Sequence, residues 1–350
     1  MVSFYPGPSR VYPKVKRYLQ DAYRNNIVSI NHRSDEFVEI SKSTIRLLHE
    51  KLAVPADYTI YFVSSATECW EIIAQSLIKE QSIHLFNGAF GKKWHAYTNR
   101  IKPGAIARPF HLQDRLKPSV YNKADVICLT QNETSNGTQV NRKIISQIRK
   151  KNPHALLAVD ATSSMAGIQL DIETADVWFA SVQKCFGLPA GLGLMICSPK
   201  ALERAEEVNN RLHYNSLLYL HEMMQHYQTS YTPNVLGIYL LMRVLESVRP
   251  INKVSSTIKS RYKKWEAFFD TKSDQLNFLA HNKTVRSHTV LAIEAPAAKV
   301  QQVKAAATNA GFQLGNGYGE WKNTTFRIAN FPAIQRKEIA RLMDFLYGHI

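Results

Sequence analysis

At 350 residues and 45% apolar content the chain can bury a large core, and a length of this order divides into about two domains. The formal charge of +16 invites a nucleic-acid partner, but the basic residues are spread along the chain with no RNA- or DNA-binding motif, so the excess is read as attraction for small anions. Four cysteines without a C-x-x-C pair indicate neither a disulfide framework nor a zinc ribbon, and no signal peptide or bilayer-length apolar run is seen, so a soluble cytoplasmic protein is expected.

Apolar runs alternate with amphipathic stretches, which predicts an α/β fold with a mostly parallel central sheet flanked by helices. In chain order, a strand at 58–63 leads to a helix at 67–79, and a strand at 83–86 to a helix at 92–100. A strand at 126–130 and a helix at 142–150 follow, then strands at 156–160, 177–181 and 193–197 and a helix at 199–209. Helices at 216–228 and 233–249 come next, the second stopped by Pro250. Beyond it, a helix at 252–269, a strand at 289–293, a helix at 297–310, a strand at 325–329 and a helix at 334–347 predict a smaller α+β domain. The expected divisions are an N-terminal segment at 1–15, a large domain at 16–250 and a small C-terminal domain at 251–350.

Two strand exits carry chemistry. The run ending at Asp160 places a carboxylate at one, and Lys184 follows the strand at 177–181. A lysine amine can hold an aldehyde cofactor as a Schiff base, and an acid can keep a pyridine nitrogen protonated so that the ring accepts electrons; together they suggest pyridoxal phosphate. Neither residue is specific alone. Ser65-Ala-Thr-Glu68 fits a capping box, and the amides at such a helix start can hold a phosphate, more so at the carboxyl end of a strand. Asn87-Gly-Ala-Phe90 offers a ring that stacks on a flat cofactor or simply fills core. Asn132-Glu-Thr134 adds a hydroxyl and an amide at the same edge, followed by the turn signal Asn136-Gly137.

Other motifs fail on spacing. His221 and His226 are five apart where a zinc-protease helix needs four, and Gly187-Leu-Pro-Ala-Gly191 lacks the lysine of a phosphate-binding loop. Gly315-Asn-Gly-Tyr-Gly319 is not set between a strand and a helix as a dinucleotide fingerprint requires.

The order of Phe4-Tyr-Pro-Gly-Pro8, Asn31-His-Arg33, Ser64-Ser-Ala-Thr67, Asn87-Gly-Ala-Phe90, Asn132-Glu-Thr134, Asp160-Ala-Thr-Ser-Ser164, Ser181-Val-Gln-Lys184, Tyr231-Thr-Pro233 and Phe326-Arg327 resembles the class-V aminotransferases of fold type I, most closely the phosphoserine aminotransferases. The resemblance implies that Lys184 holds pyridoxal 5′-phosphate and carries the proton between Cα and C4′, with Asp160 on the pyridinium nitrogen and Phe90 stacked on the ring. It gives Thr134 the cofactor's phenolic oxygen. The amides of Ala66 and Thr67, the side chains of Ser163 and Gln183, and Thr232 of the partner subunit would hold its phosphate. Arg327 would take the substrate α-carboxylate, and the N-terminal segment would contact the active site. The family is a homodimer, so His32 and Arg33 would reach from the partner subunit to a distal phosphate.

Two departures stand out. Thr67 occupies the place of a family arginine, and Gly317-Tyr-Gly-Glu-Trp-Lys322 replaces a His-Arg pair, leaving Lys322, Arg286 or His288 as substitute cations. The implied reaction is reversible transamination between O-phosphoserine and 2-oxoglutarate, giving 3-phosphooxypyruvate and glutamate in serine biosynthesis. The alternative is a serine- or alanine–glyoxylate type transaminase. A cysteine desulfurase would need a reactive cysteine near Arg327, but the last one is Cys197. From a different class, a catalytically silent protein of this fold acting as a basic binding module stays open.

Overall fold

The strands Val126–Thr130, Leu156–Asp160, Val177–Ser181 and Gly193–Cys197 are buried at every position. Their unbroken apolar character is what a sheet covered on both faces by helices demands. The computed structural model describes residues 1–271 and 275–349; residues 272–274 and 350, within and at the end of the expected C-terminal domain, lie outside the described residues.

Among the described residues the main sheet has seven strands, in the order Thr59–Val63, Gly193–Cys197, Val177–Ser181, Leu156–Asp160, Val126–Thr130, Ser82–Phe86 and Ile106–Pro109. Only Gly193–Cys197 runs against its neighbours. Six strands therefore end at one edge, and the register sets Thr130 opposite Asp160 and Gly193 opposite both Val63 and Ser181. That edge is where ligands of open α/β sheets collect.

A second sheet orders Val2–Phe4, Phe312–Asn316, Thr325–Ala329, Val290–Glu294 and Asn277–Phe278. Val2–Phe4 lies parallel to Phe312–Asn316, with Val2 facing Phe312, and the other pairs are antiparallel. Phe4 packs with Trp265, Phe269, Phe326 and Phe331 in a core separate from that of the large sheet. The N-terminal strand is thus built into the C-terminal sheet.

A small hairpin, Asn132–Glu133 with Thr138–Gln139, joins the two sheets. Its turn glycine, Gly137, has φ +70 and lies so close to the second sheet that a Cβ would stand 2.8 Å from the amide nitrogen of Ala292. Its carbonyl accepts a 2.8 Å hydrogen bond from the Ser287 amide. Only glycine meets both demands.

Helices Val15–Arg24 and Asp35–Leu52 and strands Val2–Phe4, Ile106–Pro109 and Phe312–Asn316 lie outside the predicted set. The helix expected at 216–228 shortens to Leu217–Met224, and Tyr227 beyond it has φ 55. No helix among the described residues is long and apolar enough to cross a membrane.

Candidate active site

At the carboxyl edge of the large sheet a cavity of about 580 Å³ brings together Ala66, Thr67, Phe90, Thr134, Asp160, Gln183, Lys184 and Arg327. Its outer walls include Tyr5 to Pro8 of the N-terminal segment and Asn316 to Tyr318 with Lys322. The N-terminal contact is tight: a Cβ on Gly7 would stand 2.9 Å from Lys184 Cε, and the Ser9 amide donates to the Gln183 carbonyl at 3.0 Å.

Lys184 leaves the strand Val177–Ser181 in a turn closed by the Gly187 amide on the Lys184 carbonyl, at 3.0 Å. Its side chain is buried, and Nζ donates to Thr134 Oγ1 at 2.8 Å while standing 5.2 Å over the Phe90 ring. Burial pushes the amine down to about 8; the Asp160 and Glu133 carboxylates work against this and the Arg327 guanidinium works with it. With a pKa of about 8, on the order of a tenth of this amine is neutral, hence nucleophilic, at pH 7, far more than for an exposed lysine.

Asp160, also buried, accepts the Thr162 amide at 2.9 Å. Burial pushes its carboxyl up from the ordinary range, opposed by hydrogen bonds from Thr162, by Lys184 and by Trp70.

Thr67 is the second residue of helix Ala66–Ser76. The predicted capping box is half realised. Ser65 accepts the Glu68 amide at 3.2 Å, but the Glu68 carboxylate turns back to the amide and hydroxyl of Ser64, at 2.6 and 2.8 Å. The Ala66 amide donates to Ser181 Oγ at 2.8 Å.

Glu133 is the residue that sequence reasoning missed. It is fully buried beside the cavity and accepts the amides of Phe90 and Gly91, each at 3.2 Å, and the amide and hydroxyl of Ser135 at 3.0 and 2.6 Å. The carboxylate therefore caps helix Ala89–Ile101 and sets the position of Phe90. Burial raises its pKa, and the four donors restrain the rise. The one sequence signal is Gly88, where a Cβ would come 2.3 Å from Glu133 Cγ.

Arg327 sits on the interior strand Thr325–Ala329, buried, with Nε donating to the Asn316 carbonyl and Nη1 to the Thr134 carbonyl, both at 2.7 Å. Two bonds pin the guanidinium and leave Nη2 without a hydrogen bond among the described residues. Burial lowers its pKa, offset by Tyr5, Tyr318 and Glu133.

Four expected site residues are not in this cavity. Ser163 lies behind the wall, fully buried, and its hydroxyl donates to the Asn132 carbonyl at 2.8 Å and accepts from Asn132 Nδ2 at 2.7 Å. The chain turns at Ala161–Ser164, so the adjacent Thr162 lines the cavity in its stead. His32, Arg33 and Thr232 lie outside it; Arg33 is exposed and donates to Gln228 Oε1 at 2.7 Å, and Thr232 is exposed. Of the substitute cations, Lys322 lines the cavity. Arg286 does not, being buried 4.1 Å over the Phe278 ring and bonded to the Ala280 carbonyl and Glu266. Nor does His288, which packs on Tyr262 at 4.7 Å and is pushed down to about 4 by burial.

The donor set fits pyridoxal phosphate. Thr130 Oγ1 and Gln183 Oε1 are buried polar atoms without a hydrogen-bond partner, and both residues line this cavity. Each orphaned group costs about 1–3 kcal/mol unless something polar meets it. A flat polar ring, held by an amine and a carboxylate under an aromatic face, is what the site is shaped to take. No group of His, Cys, Asp or Glu among the described residues could hold a metal ion.

Comparison with known proteins agrees with this geometry. The aminotransferase class-V family model matches residues 6–318. The solved structure of a phosphoserine aminotransferase from Cytophaga hutchinsonii is 31% identical, with a TM-score of 0.93 over 100% of this chain and 99% of that one. The phosphoserine aminotransferase of Rhodococcus opacus (strain B4) is 26% identical over 96% of this chain and 91% of that protein. That of Corynebacterium glutamicum (strain R) is 32% identical over 58% of this chain and 54% of that protein. The chain belongs to the class-V aminotransferases, and it is an aminotransferase.

Proposed function

We propose that this aminotransferase uses pyridoxal 5′-phosphate to move an amino group reversibly between O-phosphoserine and 2-oxoglutarate, forming 3-phosphooxypyruvate and glutamate, as a cytoplasmic homodimer serving serine biosynthesis. One observation carries the chemistry: a buried amine with a pKa of about 8 shares a cavity with a buried carboxylate and a pinned guanidinium. The anionic donor is supported by the relatives' names and by a cavity lining in which cations outnumber the single carboxylate.

When bound, the cofactor supplies an electron sink for the charge left at the substrate Cα. Lys184 would hold the cofactor through its aldehyde and supply the base for the proton at the substrate Cα, tasks that an amine with a pKa of about 8 suits. Thr134 orients Lys184 Nζ and takes the phenolic oxygen. Asp160 keeps the pyridine nitrogen protonated, and Phe90 covers the ring. Ala66, Thr67 and Gln183, with Thr232 of the partner subunit, hold the phosphate. Arg327 receives the α-carboxylate, with no reorganisation because two of its nitrogens are already fixed. His32 and Arg33 of the partner subunit belong to the same proposal.

A coupled assay with 2-oxoglutarate and phosphoserine, serine or alanine as donor tests this. A charge-assisted contact to the phosphate is worth about 1.5–3 kcal/mol, so kcat/KM for phosphoserine should exceed the others by about ten- to a hundredfold. Preference for serine or alanine would move the protein to the glyoxylate-type transaminases, the reading that Thr67 and the Gly317 to Lys322 segment favour.

A further inference from the structure

The segment that departs from the family pattern forms the outer wall of the cavity, and one side chain in it organises the rest. Tyr318 lies with its ring 5.3 Å from that of Phe90. Its hydroxyl accepts a 2.7 Å hydrogen bond from Lys93 Nζ, and the Arg327 guanidinium stands 5.5 Å from its ring centroid. Lys93 follows Phe90 by one helical turn, so the two share a face of helix Ala89–Ile101, and Nζ lies 5.8 Å from the Phe90 centroid. Lys322 lines the same wall.

Four cations thus border the cavity against one carboxylate, Asp160. Lys184 and Arg327 already have tasks. Lys93 and Lys322 are exposed, neither has an ion pair among the described residues, both line the cavity, and Lys93 Nζ stands 5.4 Å from the centroid of the Tyr318 ring that also touches Arg327. Building on the proposed reaction, we infer that Lys93, steered by the Tyr318 hydroxyl, and Lys322 form the subsite for the side-chain anion of the amino-acid substrate, within the same subunit as Lys184.

Tyr318 then acts as a spacer between two anion seats, with Arg327 for the α-carboxylate on one side and Lys93 for the distal group on the other. Lysine suits the second seat. Transamination between phosphoserine and glutamate requires one subsite to accept a tetrahedral phosphate and a planar carboxylate in turn. An arginine fork is matched to fixed planar geometry, whereas an ammonium on a flexible stem is a point charge that follows either anion.

The test compares phosphoserine, glutamate and alanine as donors in holoenzyme carrying Lys93→Ala, Lys322→Ala, both together, Lys93→Arg, Tyr318→Phe or Arg33→Ala. Both lysines are exposed, so folding should survive, and the cofactor's visible absorbance separates a substrate effect from cofactor loss. Each single lysine variant should lower the phosphoserine-to-alanine ratio of kcat/KM by about three- to tenfold, mainly through KM, and the double variant by more. The glutamate-to-alanine ratio should fall in the same sense. Lys93→Arg should recover most of the phosphoserine ratio, and Tyr318→Phe, as a positioning change, should cost about two- to threefold. Unchanged ratios in the double variant with cofactor fully bound would overturn the inference, as would a phosphoserine-specific loss confined to Arg33→Ala. Should the wild type itself disfavour phosphoserine, the proposed donor fails; the glutamate ratio alone then decides the lysine pair, a fall supporting it and no change overturning it.

Discussion

Two helices start beside the cavity, each after a strand of the large sheet, and each has a glutamate near its first turn. At Ala66–Ser76, Glu68 turns away to Ser64, leaving Thr67 in the cavity wall. At Ala89–Ile101, Glu133 fills the helix start from a different part of the chain and takes the amides of Phe90 and Gly91. A helix N-terminus attracts anions wherever it stands, so these two begin with equal claims on a phosphate. The placement of one carboxylate separates them. The first, its Ala66 and Glu68 amides taken by Ser181 and Ser65, keeps the Thr67 amide for a ligand, and the second offers the ligand only an aromatic face.

Removing that carboxylate is the strongest way to break the contrast. Glu133→Ala leaves two backbone amides and Ser135 without their acceptor in a buried place, and should destabilise the protein by about 3 kcal/mol or more in denaturant unfolding. A loss under about 1 kcal/mol would mean that the amides find other acceptors and that Glu133 is not the cap.

Making the first helix resemble the second comes next. Thr67→Asp puts a fixed negative charge at the open start, and should weaken cofactor binding by about ten- to a hundredfold, read from equilibrium titration of the cofactor-free protein with pyridoxal phosphate. Unchanged affinity would place the cofactor's phosphate elsewhere.

The smallest effect sharpens the comparison through Lys184. The neutral amine is the form that captures the aldehyde. Its folded-state pKa is depressed to about 8, so capture should accelerate about tenfold per pH unit below that value and level off above it. Glu133 is one of the carboxylates holding this pKa up, hence Glu133→Gln should move the break in the profile to lower pH, by less than about one unit. Stopped-flow absorbance reads the profile, and a break that stays in place or moves to higher pH would exclude the coupling.

The parts of this site that follow from strand exits were legible in the sequence. Continuous apolar runs give Val126–Thr130, Leu156–Asp160, Val177–Ser181 and Gly193–Cys197 their predicted limits, and Asp160 and Lys184 come with them. What was hidden depends on contacts between distant residues. Glu133 sits in a quoted motif, but its role comes from amides more than forty positions earlier, which no local pattern displays. Between Ser163 and Thr162 the orientation is decided by a turn after the strand ends, where alternation no longer applies. Gly315 and Asn316 disguise Phe312–Asn316, a strand that owes its existence to pairing on both sides. Helix Asp35–Leu52 is a different kind of omission: its cap Ser34 and the acids of its first turn are visible signals.

The parallel pairing of Val2–Phe4 with Phe312–Asn316 governs when the cavity is closed on its N-terminal side. A ribosome delivers residues 2–8 well before the strand that seats them and before Arg327. Gly7 cannot be pressed against Lys184 until that strand is made, so the large sheet can assemble during translation while the amine stays unwalled. The cavity therefore gains this wall only once Phe312–Asn316 has been made and residues 2–8 have docked onto it.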